Sequence, residues 1–135
     1  MEIQSTIEKN DTLAGIVYLF LNILISVAAQ LMLKAGMANL RSFQVSGDTM
    51  QYLFSMINIE IVGGLFFYAS GVILWLLCLS KLDLSFAYPA GTFQYVLIFI
   101  GSWYFFNEGI SWQRILGMFV IGTGVILISF DYGKK

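Results

Sequence analysis

From Leu13 to Leu33 the chain carries no charged side chain. That run is long enough for a helix to cross the hydrocarbon core of a bilayer, which takes about 20 residues. Three more apolar runs of similar length follow, Ile61 to Ser80, Leu84 to Phe106 and Ile110 to Phe130, the last with one charge at Arg114. The expectation is an all-α integral membrane protein with four transmembrane helices. A polar tail would occupy residues 1–12, a single membrane domain 13–130 and a short second tail 131–135. The first run is too long for the apolar segment of a signal peptide, and its flank, Glu8-Lys9-Asn10-Asp11, is not net positive, so it is read as a retained span.

Inside the first run, Asn22, Ser26 and Gln30 recur every fourth residue, with Lys34 at the end of the series. Helical spacing puts these side chains on one face. Lipid cannot hydrogen-bond an amide or a hydroxyl, so the stripe must face other helices or a wet cavity. It serves either as interhelical glue or as the lining of a pathway. The complete stripe with its terminal cation favours the lining.

Apolar residues make up 59% of the 135 and charged residues only 11%, so little chain lies outside the spans and no soluble catalytic domain fits. Histidine is absent and Cys78 is the single cysteine. Without the commonest general base or a cysteine cluster, no metal site, nucleophilic triad or disulfide framework is expected, and the chain is not read as an enzyme. No cofactor is expected. The net charge of −1 lacks the basic footprint that nucleic acid requires. There is no nucleotide-binding loop, so any direct use of ATP would come from elsewhere.

Between the runs the sequence supplies punctuation. Ala35-Gly36 is expected to end the first helix, and Ser46-Gly47-Asp48 marks a turn. Asp48 or Thr49 would cap a short interfacial helix through Ile57; alternatively, the second span starts early and projects from the membrane. Glu60 stands at the mouth of that span. Gly63, Gly64, Ser70 and Gly71 form two seven-residue pairs of small residues that permit close helix approach, and Gly117 with Gly124 repeats the spacing in the last span beside Gly122. Gly64, Gly71, Gly117 and Gly124 are therefore expected to mark helix or dimer packing seams. The short turn Ser80 to Asp83 makes the second and third spans antiparallel neighbours.

Asp83 is a candidate cap for the third span, and Pro89 should kink it near Tyr88. Tyr88, Thr92, Tyr95 and Ser102 share a face, with Gly91 and Gln94 adjacent. That face is either packing with interfacial tyrosines or the second wall of a path. In the last turn Ser111 is a plausible N-cap. Glu108 would satisfy helix-end amides or recognise a cationic ligand group, and Arg114 would snorkel to the interface or meet a phosphate. Four spans put both termini on one side. The basic residues divide almost evenly, Lys9, Lys81, Lys134 and Lys135 against Lys34, Arg41 and Arg114, which slightly favours cytoplasmic termini and permits insertion in both orientations. Four helices are too few to enclose a sizeable hydrophilic path, so at least a dimer is expected.

The run LSKLDLSFAYPAG, then NEGIS, then RILGMFVIGTGVILIS resembles the closing half of the drug/metabolite transporter superfamily in its four-helix form, related to the small multidrug resistance transporters. ILISVAAQLMLK with SGVILWLLCLSKLDLSFAYP is more specifically similar to the small subunits of the aminoarabinose-phosphoundecaprenol flippase. That resemblance implies a multi-pass flippase or flippase subunit of the bacterial inner membrane. It would move a polyprenyl-phosphate-linked sugar, as a homodimer or as a heterodimer with a similar four-helix subunit. Asn22, Ser26 and Gln30 would bond sugar hydroxyls, and Tyr88, Thr92 and Tyr95 would line the opposite wall. Lys34 and Arg114 would meet the phosphate, and Glu108 an amino group.

The small multidrug resistance transporters carry a glutamate in the first helix at the position matched here by Ser26, which can neither hold their proton nor pair a cation. Their aromatic one turn beyond the tyrosine matched by Tyr88 is replaced by Gly91, and the connection between the first two spans is longer here. Proton-coupled export of cationic compounds is accordingly the alternative. A non-transporting membrane partner is a third reading, since small-residue seams suit it equally.

Overall fold

The computed structural model describes residues 2–40 and 57–132, and every regular element among them is an α-helix. Helix α1 spans Glu2–Leu40 and α2 spans Ile59–Leu79. The third span is broken into α3, Leu84–Gly91, and α4, Phe93–Phe106. Helix α5 spans Trp112–Tyr132. Helices α1, α2 and the α3–α4 span are each long and apolar enough to cross a membrane, and α5 supplies a shorter apolar stretch, Trp112–Ile128. The protein is an all-α, four-helix membrane protein. Its outward faces carry large apolar side chains, Phe66, Phe119, Val120 and Leu127 among them, as a surface in contact with lipid requires.

Helix α1 departs from expectation at both ends. The polar segment read as a tail is helical from Glu2, in keeping with a stretch that has no glycine or proline before Gly15. At about 1.5 Å per residue its 39 residues run to roughly 58 Å, well beyond the ~30 Å hydrocarbon core. Nor does Gly36 end the helix. It lies against the start of α2, where a β-carbon would fall 2.6 Å from Ile61 Cγ1, so the glycine serves close approach instead of termination. Asn58 joins the two helices: its Oδ1 accepts from Ile61 N at 2.8 Å as the α2 N-cap, and its Nδ2 donates to Gly36 O at 3.4 Å. The interfacial helix expected over residues 49–57 lies outside the described residues except for Ile57, which is not helical.

Among the described residues the interface between α1 and α2 is the most extensive. Gly64 receives Leu33 and the backbone at Ala29, and Gly71 faces Ser26 and Asn22, so these two seam glycines serve packing within the chain. Leu19 and Ile23 of α1, Cys78 of α2, Leu82 of the turn and Ala87 of α3 form the buried core. The tight turn after α2 is present. Leu82 fits against Gly15, and Lys81 Nζ donates to Asp11 Oδ1 at 2.6 Å. Asp83 occupies the N-cap position of α3, although its carboxylate makes no capping bond.

The expected disturbance at Pro89 appears three residues later. Thr92 N and Thr92 Oγ1 both donate to Pro89 O, at 3.1 and 2.6 Å, which tightens the turn and separates α3 from α4. Asn107 ends α4 in the left-handed conformation (φ 50°), and Ser111 Oγ accepts from Arg114 N at 3.4 Å at the start of α5. Helix α5 touches the rest of the described structure through α3 and, to a lesser extent, α4.

Candidate functional site

A cavity of about 330 Å³ opens between the first three spans. This falls at the lower end of the ~300–1,000 Å³ usual for small-molecule sites. Helix α1 contributes Asn22, Ser26 and Gln30, the stripe read from its four-residue spacing. Tyr88, Thr92 and Tyr95 come from the third span, with Gly91 and Gln94 beside them. The structure thus brings together six of the anticipated residues. It adds Tyr68, Gly71, Val72 and Trp75 from α2, which sequence reasoning missed as a wall. Their spacing of three, four and seven residues was the available signal.

The lining is uncharged: amides, hydroxyls and aromatic rings, with Val72 and two glycines between them. Asn22, 9% exposed, donates from Nδ2 to Gly71 O at 2.7 Å, which satisfies one buried amide and leaves its oxygen free to accept. Ser26, Gln30 and Gln94 have no side-chain hydrogen-bond partner among the described residues. Ser26 differs in this from Ser70, Ser80, Thr92 and Thr123, each of which turns its hydroxyl back onto a carbonyl of its own helix. Polar groups held in a membrane cavity without partners are poised for water or a polar ligand.

The charged residues meet elsewhere. Lys34, one turn beyond Gln30, forms an ion pair with Glu108 in the turn between α4 and α5. Lys34 Nζ also donates to Ser102 Oγ at 2.9 Å and lies 4.7 Å from the centre of the Phe106 ring, while Ser102 Oγ donates to Glu108 Oε2. Hydrogen bonds from Lys34 and then Ser102 hold the Glu108 carboxyl below its ordinary pKa, with help from the charges of Lys34 and Arg114. Glu108 and Arg114 border a second, much smaller recess. Glu108 therefore binds a side-chain cation and a hydroxyl, whereas Ser111 occupies the helix-capping position. Ser102, expected on the face of Tyr88, Thr92 and Tyr95, is 9% exposed and belongs to this ionic cluster instead of the cavity. Gly117, Gly122 and Gly124 meet nothing within 4 Å where a β-carbon would point, so the last seam is unfilled among the described residues. No group of three or more metal-ligating side chains occurs among the described residues.

No family-level sequence profile matches the chain, and no solved structure does. Curated relatives do. The probable 4-amino-4-deoxy-L-arabinose-phosphoundecaprenol flippase subunit ArnF of Shewanella sediminis is 33% identical over 128 residues, covering 87% of this chain and 88% of that protein. The corresponding probable ArnF of Proteus mirabilis is 33% identical over 123 residues, covering 85% and 91%. The probable ArnE subunit of Aeromonas salmonicida is 44% identical over 59 residues, covering 44% of this chain and 52% of the relative. Sharing a third of its aligned residues with ArnF proteins along nearly their whole length, the chain belongs to the family of small ArnF- and ArnE-like flippase subunits.

Proposed function

We propose that this protein is a subunit of a flippase that carries a polyprenyl-phosphate-linked aminosugar across the bacterial inner membrane. The observation that carries the reading is the uncharged cavity within the spans, where Ser26, Gln30 and Gln94 stand without partners. The polyprenyl chain would stay in lipid while the sugar crosses among amides and hydroxyls, which avoids exposing its polar groups to hydrocarbon. The relatives named as ArnE and ArnF subunits support assembly with a second small subunit; a homodimer remains the alternative assembly. The slight excess of basic residues on the side of the termini supports a cytoplasmic placement for both, and is small enough to permit insertion in both orientations.

Lys34 and Glu108 bind each other in the free protein, so they would serve the substrate by exchange. A phosphate would take Lys34, with Arg114 nearby, as an ammonium group takes Glu108. Each charge then stays paired throughout, which matters where an uncompensated ion is costly. Proton-coupled export of cationic compounds gains no support here, since no carboxylate lines the cavity.

The test is translocation in vesicles containing this chain and any small subunit that co-purifies with it. A polyprenyl phosphate bearing 4-amino-4-deoxy-arabinose should cross, and Gln30→Leu combined with Ser26→Val should abolish crossing without loss of the assembled protein. Unchanged crossing in that variant would remove the stripe from the mechanism. Crossing by the partner alone would reduce this chain to a non-transporting component.

A further inference from the structure

The sequence leaves the cavity wall without a side chain at Gly91, but the fold brings an aromatic there from another helix. A β-carbon on Gly91 would lie 3.8 Å from Trp75 Cζ3 and 3.9 Å from Trp75 Cη2, so the six-membered ring of the indole lies in van der Waals reach of the glycine. Tyr88 meets Trp75 at a centroid distance of 5.1 Å and an interplanar angle of 89°, a perpendicular contact that holds the indole in place. Trp75 also packs against the buried core that includes Cys78 and Ala87. The indole thus packs against the core and is also part of the cavity lining. Its N–H has no partner among the described residues, although a tryptophan N–H removed from water usually finds one.

We infer that Trp75 is the stacking platform for the sugar ring and that Gly91 keeps the space beside it open. This rests on the proposed transport of a lipid-linked sugar. A pyranose presents a face of C–H groups whose slight positive charge suits the negative face of an indole, and hydroxyls at its edge. The cavity matches both, with the indole as one surface and the free groups of Ser26, Gln30 and Gln94 around it. The uncharged lining recognises the ring, and the charged ends of the substrate fall to the Lys34 and Glu108 cluster.

The chain has three tryptophans, and Trp103 and Trp112 are exposed outside the cavity. Trp103→Phe with Trp112→Phe leaves Trp75 as the sole indole. Its emission should change when a polyprenyl phosphate bearing 4-amino-4-deoxy-arabinose is added in detergent, and remain unchanged with the same lipid lacking the sugar. Trp75→Leu should weaken binding of the conjugate about tenfold and leave the sugar-free lipid unaffected, with Trp75→Phe intermediate. Gly91→Ala should bind nearly as wild type, because its methyl group makes only ordinary contact, while Gly91→Leu should lose as much as Trp75→Leu. Native mass spectrometry reports binding independently of the indole. If the conjugate binds but the Trp75 emission is unchanged, or responds equally to both lipids, the platform is overturned and the transport reading stands. If the conjugate does not bind the assembled protein at all, both are overturned.

Discussion

Helices α2 and α5 each present glycines seven residues apart, Gly64 and Gly71 in one and Gly117 and Gly124 in the other, but only α2 is packed through them. In α2 the missing side chains are replaced by α1: Leu33 sits at Gly64, and Ser26 and Asn22 sit at Gly71. In α5 nothing among the described residues lies within 4 Å of the same positions. Small residues let backbones approach, but they do not specify which helix arrives. The side chains that fill the notch specify it. Helix α1 offers a small or polar residue at Ala29, Ser26 and Asn22 where α2 approaches, and an interhelical hydrogen bond to Gly71 O as well.

The comparison breaks most readily at Gly64. A β-carbon there would fall 2.8 Å from Leu33 Cγ and 3.1 Å from Ala29 O, and the backbone oxygen cannot rotate away. Gly64→Ala should cost about 1–3 kcal/mol, read as a lower thermal midpoint in detergent. Gly63→Ala meets only the flexible end of Met32 and should cost less, and Gly117→Ala should be neutral or slightly stabilising through helix propensity. Equal losses at Gly64 and Gly117 would mean that the two seams are packed alike.

Next in size is the bond from Asn22 to Gly71. Asn22→Ala should lose roughly 0.6–2 kcal/mol, whereas Ser26→Ala, with no bond to lose, should leave the midpoint unchanged while impairing transport. A destabilised Ser26→Ala would make the stripe interhelical glue after all.

Smaller effects lie at the two ends of the bundle. Because the folded-state pKa of Glu108 is lowered, its contribution is present above the ordinary carboxylate value of 4.5 and lost as pH falls through the lowered one. The midpoint difference between wild type and Glu108→Gln should therefore be visible at neutral pH and close in acid. A difference that persists in strong acid would refute the pairing with Lys34 as its cause. Lys81 has its pKa raised by Asp11, so that contribution is present at and below the ordinary lysine value of 10.5 and is lost as pH rises through the raised one. The pair is as exposed as Lys34 and Glu108 but has, among the described residues, no buried third partner of the kind Ser102 supplies there, so Asp11→Asn should leave the midpoint unresolved from wild type even at low salt.

Much of the architecture was legible because the membrane imposes simple rules. Long apolar runs had to become helices, and the four-residue recurrence of Asn22, Ser26 and Gln30 had to produce one polar face. The same logic identified Tyr88, Thr92 and Tyr95 as a face before any neighbour was known. The extent of α1 was not legible, because Gly36 reads equally as a helix end or as a point of close contact until Ile61 is seen against it.

What the sequence determined by itself is therefore local: where the chain is helical within lipid, and which side chains share a face, since both follow from backbone hydrogen bonding and helical pitch. The pairing of faces belonged to the tertiary structure. Only the fold set α2 against the α1 stripe, brought Trp75 beside Gly91 and gave Lys34 to Glu108, because these contacts join residues distant in the chain. Such contacts depend on shape complementarity between helices, and a one-dimensional spacing rule carries no information about which surface will fit another.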